Sequence, residues 1–491
     1  KTKNLASGDS FTESPKLKFA SLLLTSFVRD QFYKTADNTI KDIANSIKNK
    51  DDLKKALLSE VDSVTPLFAA KAALYARNIF NMRSISHVVA GELAHKVKGE
   101  KWMRPFIRTV IVRPDDMLEI LAYYKNKYGL HPIPNSLKKG FADAFGKFDT
   151  YSLAKWRGEG KGIKLVDLVN LVHPIPTEKN SKALTDLIKG ELKSVDTWES
   201  KLTQAGQQAE TKEEKEELKA AVWKDLIDSE KIGYMALVRN LRNIIQQAPE
   251  SIQKSCDLLI DEKRIKGSRL LPFRFLTAYK ELEKVSGSIE VLQALSIAAT
   301  RSCQNVPLFD GNNLIVVDAS GSMMAKTETR VISIASLFAS IFLKKNPKSD
   351  LILFSKNAHY VSLDIDAPLL VLAQRIEEIA ETNFNSGTNL HSIFECMDKK
   401  YDRLILLSDM QSWMNEKPGS SFEAYKNKFN IEGNVPKIFS FDLQGYGTLE
   451  FPQENIFCLA GFSDKVFDII KLLDENNREA LVNEIEKVKF Y

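Results

Sequence analysis

Leu314-Ile-Val-Val-Asp-Ala-Ser-Gly-Ser322 is the stretch on which the reading of this chain turns. Four consecutive β-favouring apolar residues read as a buried strand. Asp318, Ser320 and Ser322 then place three small oxygen donors at its carboxyl end, where an open α/β sheet holds its ligand site. Two matching pieces follow in order: Thr388 in the loop Asn385-Ser-Gly-Thr388, and Asp409 at the end of a second apolar run, Leu404-Ile-Leu-Leu-Ser-Asp409. An oxygen-only donor set with no nearby Cys or His calls for a hard divalent cation, Mg²⁺ first, with Mn²⁺ or Ca²⁺ as alternatives.

In such a site Ser320, Ser322 and Thr388 offer neutral hydroxyls, while Asp318 and Asp409 supply charge directly or through water. The cation stays electrophilic, and one position remains open for an acidic group from elsewhere. This is binding chemistry. The nearest histidines in sequence, His359 and His391, have no partner at useful spacing, and two-metal hydrolysis needs more clustered carboxylates than these spacings give. The chain therefore reads as a non-enzyme. Helix capping alone accounts for Asp318 and the serines but does not require Thr388 and Asp409.

The chain has 491 residues, too long for one ordinary core, and its 44% hydrophobic content suffices to pack two or three domains. Cys256, Cys303, Cys396 and Cys458 are far apart and show no zinc spacing, which reads as free thiols in a reducing compartment. No run approaches the ~18 apolar residues that span a bilayer, and Phe19 to Val28 is broken at once by Arg29-Asp30. A soluble cytoplasmic protein is the expectation. Charge divides the chain: residues 1 to 300 carry 49 Lys and Arg against 38 Asp and Glu, a net of +11, which leaves −6 on the remainder of a total of +5. The basic part suits a polyanion partner, and the acidic part argues against nucleic acid around the metal motif.

The periodicity separates the same two regions. From Pro307 onward, strand-like runs Asn313 to Val317, Asp350 to Phe354, Arg403 to Leu407, Lys437 to Phe441 and Asn455 to Leu459 alternate with helical stretches, the signature of a doubly wound α/β domain over 306–491. Residues 1–305 instead repeat apolar positions at three and four, as in Thr65 to Phe80, Pro114 to Tyr128 and Tyr234 to Gln246. Stacked helical hairpins of a curved solenoid are the expected result. The run Glu210 to Lys219 reads as an exposed helix face laced by i,i+4 ion pairs.

Candidate polyanion contacts form clusters. Lys155, Trp156 and Arg157, followed by Lys161, Lys164 and His173, set cations beside an aromatic ring and beside Gly158, Gly160 and Gly162, whose backbone can approach a phosphate. Arg239 and Arg242 form a second cluster, and Lys266 and Arg269 belong to a third around Leu271-Pro272. A solvated helix face is the bland alternative for each single cation, and His173 before Pro174 reads equally as a helix-terminal histidine bound to a carbonyl.

The Asp-x-Ser-x-Ser, Thr388 and Asp409 pattern resembles the metal-ion-dependent adhesion site of von Willebrand factor A domains. Together with Ala236-Leu-Val-Arg-Asn-Leu241 and Arg269-Leu-Leu-Pro-Phe-Arg-Phe-Leu276 in a basic helical region, it makes nearly the whole chain similar to the Ro autoantigen, or TROVE-domain, family. The resemblance implies a multidomain fold: a monomeric ring of all-α HEAT-like repeats followed by the A domain. It also implies binding of Y-like noncoding RNA and capture of the single-stranded 3′ ends of misfolded RNA, in a scaffold or chaperone role without catalysis. In bacterial members a Y-like RNA tethers the ring to polynucleotide phosphorylase, the partner implied if this chain is bacterial. Lys155 to His173 resembles the family's RNA-contacting segment. A rival reading makes the helical region a scaffold for a metal-dependent protein-interaction module.

Overall fold

The computed structural model describes the chain except for residues 1, 4–8, 11–13, 26–35, 49–62, 81, 98, 130–131, 159–161, 194, 196, 325–330, 384–386, 410–417, 432–434, 444–455, 461–465, 476–479 and 491. Its helices run α1 Pro15–Thr25, α2 Ala36–Ser46, α3 Pro66–Asn78, α4 Arg83–Lys96, α5 Met103–Val110, α6 Pro114–Tyr128, α7 Asn135–Phe145, α8 Thr150–Lys155 and α9 Leu165–Val172. They continue through α10 Ser181–Lys189, α11 Trp198–Gln208, α12 Lys212–Asp228, α13 Tyr234–Gln247, α14 Ile252–Ile260, α15 Glu262–Ser268, α16 Pro272–Leu282 and α17 Ile289–Ser302. Local chemistry sets their starts. Thr65 accepts from the Phe68 amide (3.2 Å) with Pro66 following, Asp149 accepts from Ser152 (2.8 Å), Thr211 from Glu214 (3.1 Å) and Asp261 from Arg264 (2.7 Å). Neighbouring helices pair as expected, α3 with α4, α11 with α12 and α16 with α17. Among the described residues, no helix is long and apolar enough to cross a membrane.

The α/β region alternates β1 Asn313–Asp318, α18 Val331–Lys345, β2 Asp350–Phe354, β3 Ala358–Tyr360, α19 Leu369–Asn383, α20 His391–Cys396, β4 Arg403–Ser408, α21 Pro418–Lys428, β5 Lys437–Asp442, β6 Ile456–Ala460, α22 Val466–Glu475 and α23 Ala480–Glu486. The sheet order is β3-β2-β1-β4-β5-β6, with β1 parallel to both β2 and β4. Every residue of β1 and β4 is buried, which is why both read as unbroken apolar runs. Leu314 and Val316 pack on one face with Ile352, Phe354, Leu404, Leu406 and Phe422. On another side, Phe338 of α18 stacks on Phe467 (4.6 Å) and meets Phe441 (5.2 Å).

Two elements of the α/β region escape a reading of the sequence. β3 is a three-residue strand antiparallel to β2, too short to show a period, and α21 opens on Pro418-Gly419, a pair that marks a break by sequence rules although proline suits a helix's first turn. The ion-pair lacing expected along Glu210 to Lys219 is also absent: among the described residues, Lys212, Lys215 and Lys219 form no ion pair.

The chain divides into two compact units, one of residues 13–195, 459–465 and 475–491, the other of residues 1–12, 196–458 and 466–474. In the first, the end of the chain returns to its beginning: α23 packs on α1 and α3, with Lys16 and Lys71 paired to Glu486 at 3.0 and 3.4 Å, and Phe490 stacks on Trp102 (5.8 Å). In the second, the last helix ahead of β1 is tied to a helix of the α/β region, as the Leu369 amide donates to Thr300 Oγ1 (3.1 Å) and α17 packs on α19.

Candidate functional site

The β1 register explains how the metal motif assembles. Asp318 is the last residue of β1 and pairs with Phe354 of β2, while Val317 pairs with Leu407 of β4. Ser408 and Asp409 therefore end level with Asp318, at the point where successive connections leave β1 toward opposite edges of the sheet. Asp318 is 0% and Asp409 1% exposed. The Asp318 carboxylate accepts from the Ser320 amide (2.8 Å) and from Ser408 Oγ (2.6 Å), and Ser320 Oγ lies 3.1 Å from Ser322 Oγ. Thr388 is buried, and the adjacent Asn389 amide donates to the Ser355 carbonyl (2.7 Å), which latches the loop just past the end of β2. The structure thus gathers Asp318, Ser320, Ser322 and Asp409 and brings Thr388 to the same sheet edge. Ser408, which orients Asp318, gives no signal of its own in the sequence because it also completes an ordinary strand.

Electrostatics make this donor set suited to a cation. Burial, then the charge of Asp409, pushes the Asp318 carboxyl well above the usual range. Two desolvated carboxylates lined by hydroxyls are stabilised by a compensating positive charge. The five oxygen donors fit a hard divalent ion. His391 is buried nearby in sequence, and its Nδ1 meets Ser421 Oγ, a partner 30 residues away that spacing alone could not reveal.

The basic segment is held by a different set of contacts. Gly158 has φ +78°, and a Cβ there would lie 2.7 Å from Leu118 Cδ1 and 3.2 Å from the Ile163 carbonyl, so glycine is what fits at this position against α6. Lys155 ends α8 exposed, Lys164 is the exposed N-cap of α9, and exposed His173 caps its other end at φ 45°, its amide donating to Val169 O (2.9 Å). Arg157 is half-buried and donates to the Leu192 carbonyl, so it braces the fold. Trp156 carries the Arg113 guanidinium at 3.7 Å from its ring centre, which leaves less of the ring for a base than the sequence alone suggests. Lys161 lies outside the described residues.

Behind the loop is a buried cluster with no sequence signal beyond Asp115-Asp116. Asp116, 0% exposed, accepts from Arg77 Nη2 (2.9 Å), Arg83 Nε (2.6 Å) and the Val112 and Arg113 amides (2.9 Å each), with His87 Nε2 3.1 Å away. Asp115 grips Arg113 at 2.9 and 2.6 Å and so sets the cation that covers Trp156. Arg239, Arg242, Lys266 and Arg269 are all exposed and belong to the other compact unit.

A model of the TROVE domain matches residues 31–219 and 189–305. Telomerase protein component 1 is 24% identical in Rattus norvegicus and 25% in Mus musculus; each match takes in 50% of this chain and only 12% of the relative's length. Among solved structures, the Deinococcus radiodurans RO (RSR) protein superposes with a TM-score of 0.61 at 16% identity, covering 94% of this chain and 99% of that one. At that identity the likeness shows the fold, helical repeats followed by a von Willebrand factor A-type domain.

Proposed function

Because the chain belongs to the TROVE-domain family, a family of RNA-binding proteins, we propose that it binds Y-like noncoding RNA and the single-stranded 3′ ends of misfolded RNA as a non-catalytic scaffold. The observation that carries this reading is the loop after α8, where Gly158 seats the backbone on α6 while Lys155, Lys164 and His173 face solvent. Exposed cations beside a glycine-rich backbone track phosphates and do not read base sequence, so binding is steeply salt-dependent and tolerant of sequence. An unpaired tail offers its phosphates and bases to such a surface, whereas a closed duplex offers only its outside.

The α/β domain is proposed to hold a divalent cation, Mg²⁺ first, on Asp318, Ser320, Ser322, Thr388 and Asp409. When bound, that ion supplies an electrophilic position for a carboxylate of a protein partner. A cytoplasmic setting and, in a bacterial host, association with polynucleotide phosphorylase through the tethering RNA complete the proposal.

The test is binding of a duplex with a single-stranded 3′ tail and of its blunt counterpart, at several salt concentrations, to the wild type and Lys155→Ala/Lys164→Ala. Tail-dependent binding is expected, with a salt slope shallower in the variant by about 0.7 for each phosphate that it no longer neutralises. Equal, weak binding of both RNAs by both proteins would sink the reading and move the metal-dependent protein-interaction module to first place.

A further inference from the structure

Helix α12 gathers three lysines on one face. At 3.6 residues per turn Lys212, Lys215, Lys219 and Trp223 fall on one stripe, with Glu216 at its margin, and Glu213, Glu214 and Glu217 fall on the far side. Lysines on a helix so rich in glutamate ordinarily pair along it, yet Lys215 and Lys219 form no ion pair among the described residues. They border a cleft of about 470 Å³ between α11, α12 and α13. That volume lies within the ~300–1,000 Å³ typical of small-ligand sites.

Each wall of the cleft contributes to its chemistry. Gly206 of α11 leaves room for the lysine stems: a Cβ there would lie 3.4 Å from Lys215 Cε and 3.7 Å from Lys219 Cε. Trp223 is fully buried at the inner wall and donates its indole N–H to Gln247 Oε1 (3.0 Å). That bond fixes the Gln247 amide so that its NH₂ group remains a donor. Asn243, one turn earlier on α13, spends one amide N–H on Asn240 Oδ1 (3.2 Å) and keeps the other. Among the described residues, no carboxylate lines the cleft. Exposed Arg239 lies a further turn back on the stripe of Asn243 and Gln247 and extends the row of donors.

Two unpaired ammonium groups with primary amides make a receptor for an anion bearing several acceptor oxygens. We infer that this cleft is a phosphate-binding site that takes a nucleotide unit, either within a single RNA strand or as a free nucleoside monophosphate. The RNA source rests on the RNA-binding function proposed above, whereas the phosphate chemistry does not.

The experiment reads the two lysines directly. The whole chain is acylated with an amine-reactive reagent, alone, with a 5′-phosphorylated single-stranded oligoribonucleotide, or with AMP, and peptide mass spectrometry follows Lys215 and Lys219 against the other lysines. Selective protection of both is expected. In parallel, Lys215→Gln/Lys219→Gln makes the salt slope for the oligoribonucleotide shallower by about 1.4 and weakens binding roughly 25-fold at 0.1 M salt, as follows from ~0.7 per phosphate contact on single strands. Gly206→Leu, which fills the cleft and keeps both charges, weakens the protecting ligand as well. Protection by the oligoribonucleotide assigns the site to an RNA strand, and protection by AMP alone assigns it to a free nucleotide. An absence of protection by either ligand overturns the inference. If the wild type binds no RNA, the proposed function falls, while the AMP arm still decides the cleft.

Discussion

Asp116→Ala tests whether the buried cluster behind the basic loop holds its compact unit together. The substitution leaves Arg77, 6% exposed and 2.9 Å from the deleted carboxylate, as a buried charge without its counterion. Stranding one partner of a buried ion pair costs about 3–5 kcal/mol, and the Val112 and Arg113 amides at the start of α6 lose an acceptor worth about 1 kcal/mol. The sum, about 4–6 kcal/mol, rivals the ~5–15 kcal/mol that stabilises a whole domain. A chain with two compact units need not unfold in one step, so the assay is hydrogen exchange resolved to peptides. Amides of α3, α4 and α6 should exchange roughly 1,000- to 10,000-fold faster, since each ~1.4 kcal/mol is a factor of ten, while peptides of β1 and β4 keep their protection. Asp116→Leu/Arg77→Met should recover at least half of the loss, because an apolar pair of similar volume needs no counterion. Acceleration below about fivefold in those helices, or equal acceleration in both units, would refute the reasoning.

The same cluster fixes a pH dependence. Burial alone would raise the Asp116 carboxyl, but His87, Arg77 and Arg83 together hold it well below the usual range; burial, with Arg83 and Arg77 beside it, depresses His87 against the pull of Asp116. Asp116 thus adds stability that is full above its unfolded pKa of ~3.9 and lost as pH falls through the folded value, while His87 favours the fold fully above ~6.5 and loses that contribution as pH falls below it. Thermal midpoints should decline below pH 6.5, and His87→Gln should flatten the decline between about pH 6.5 and 5; an unchanged profile would remove His87 from the account. For the metal motif, Mg²⁺ at 100 times its Kd should stabilise the wild type by about 2.7 kcal/mol, and calorimetric titration of Asp318→Ala should show neither binding nor that gain. Gly158→Ala, at φ +78° with Leu118 Cδ1 in the way, should lower stability by about 1–2 kcal/mol. It should also weaken RNA binding although Lys155 and Lys164 are intact, as seen by melting and by tail-dependent binding at fixed salt.

How much the sequence discloses depends on whether a residue's role is set along the chain or across it. β1 and β4 are buried on both sides, so their apolar runs announce strands without any knowledge of neighbours, and the turn after each must carry whatever the sheet edge presents. Asp318, Ser320 and Asp409 were legible for that reason. Thr388 was legible only by motif, because the latch of Asn389 onto Ser355 is a contact between segments 34 residues apart. Ser408 was hidden by being both a strand residue and a hydrogen-bond donor to Asp318.

The basic surfaces follow the opposite rule, because a cation shows its charge in the sequence but not its partner. Arg157 and Lys164 look alike in a row of letters, yet one donates to the Leu192 carbonyl and the other stands in solvent at a helix start. Arg113, which carried no signal of its own, covers the ring of Trp156 because Asp115 holds it there. Lys215 and Lys219 invert the case: surrounded by glutamates in sequence, they read as neutralised along the helix, yet in the fold they border a cleft whose described lining contains no carboxylate. Charge counted along a chain therefore bounds the class of partner, whereas the surface that meets it is decided by which cations the fold has left without an internal acceptor.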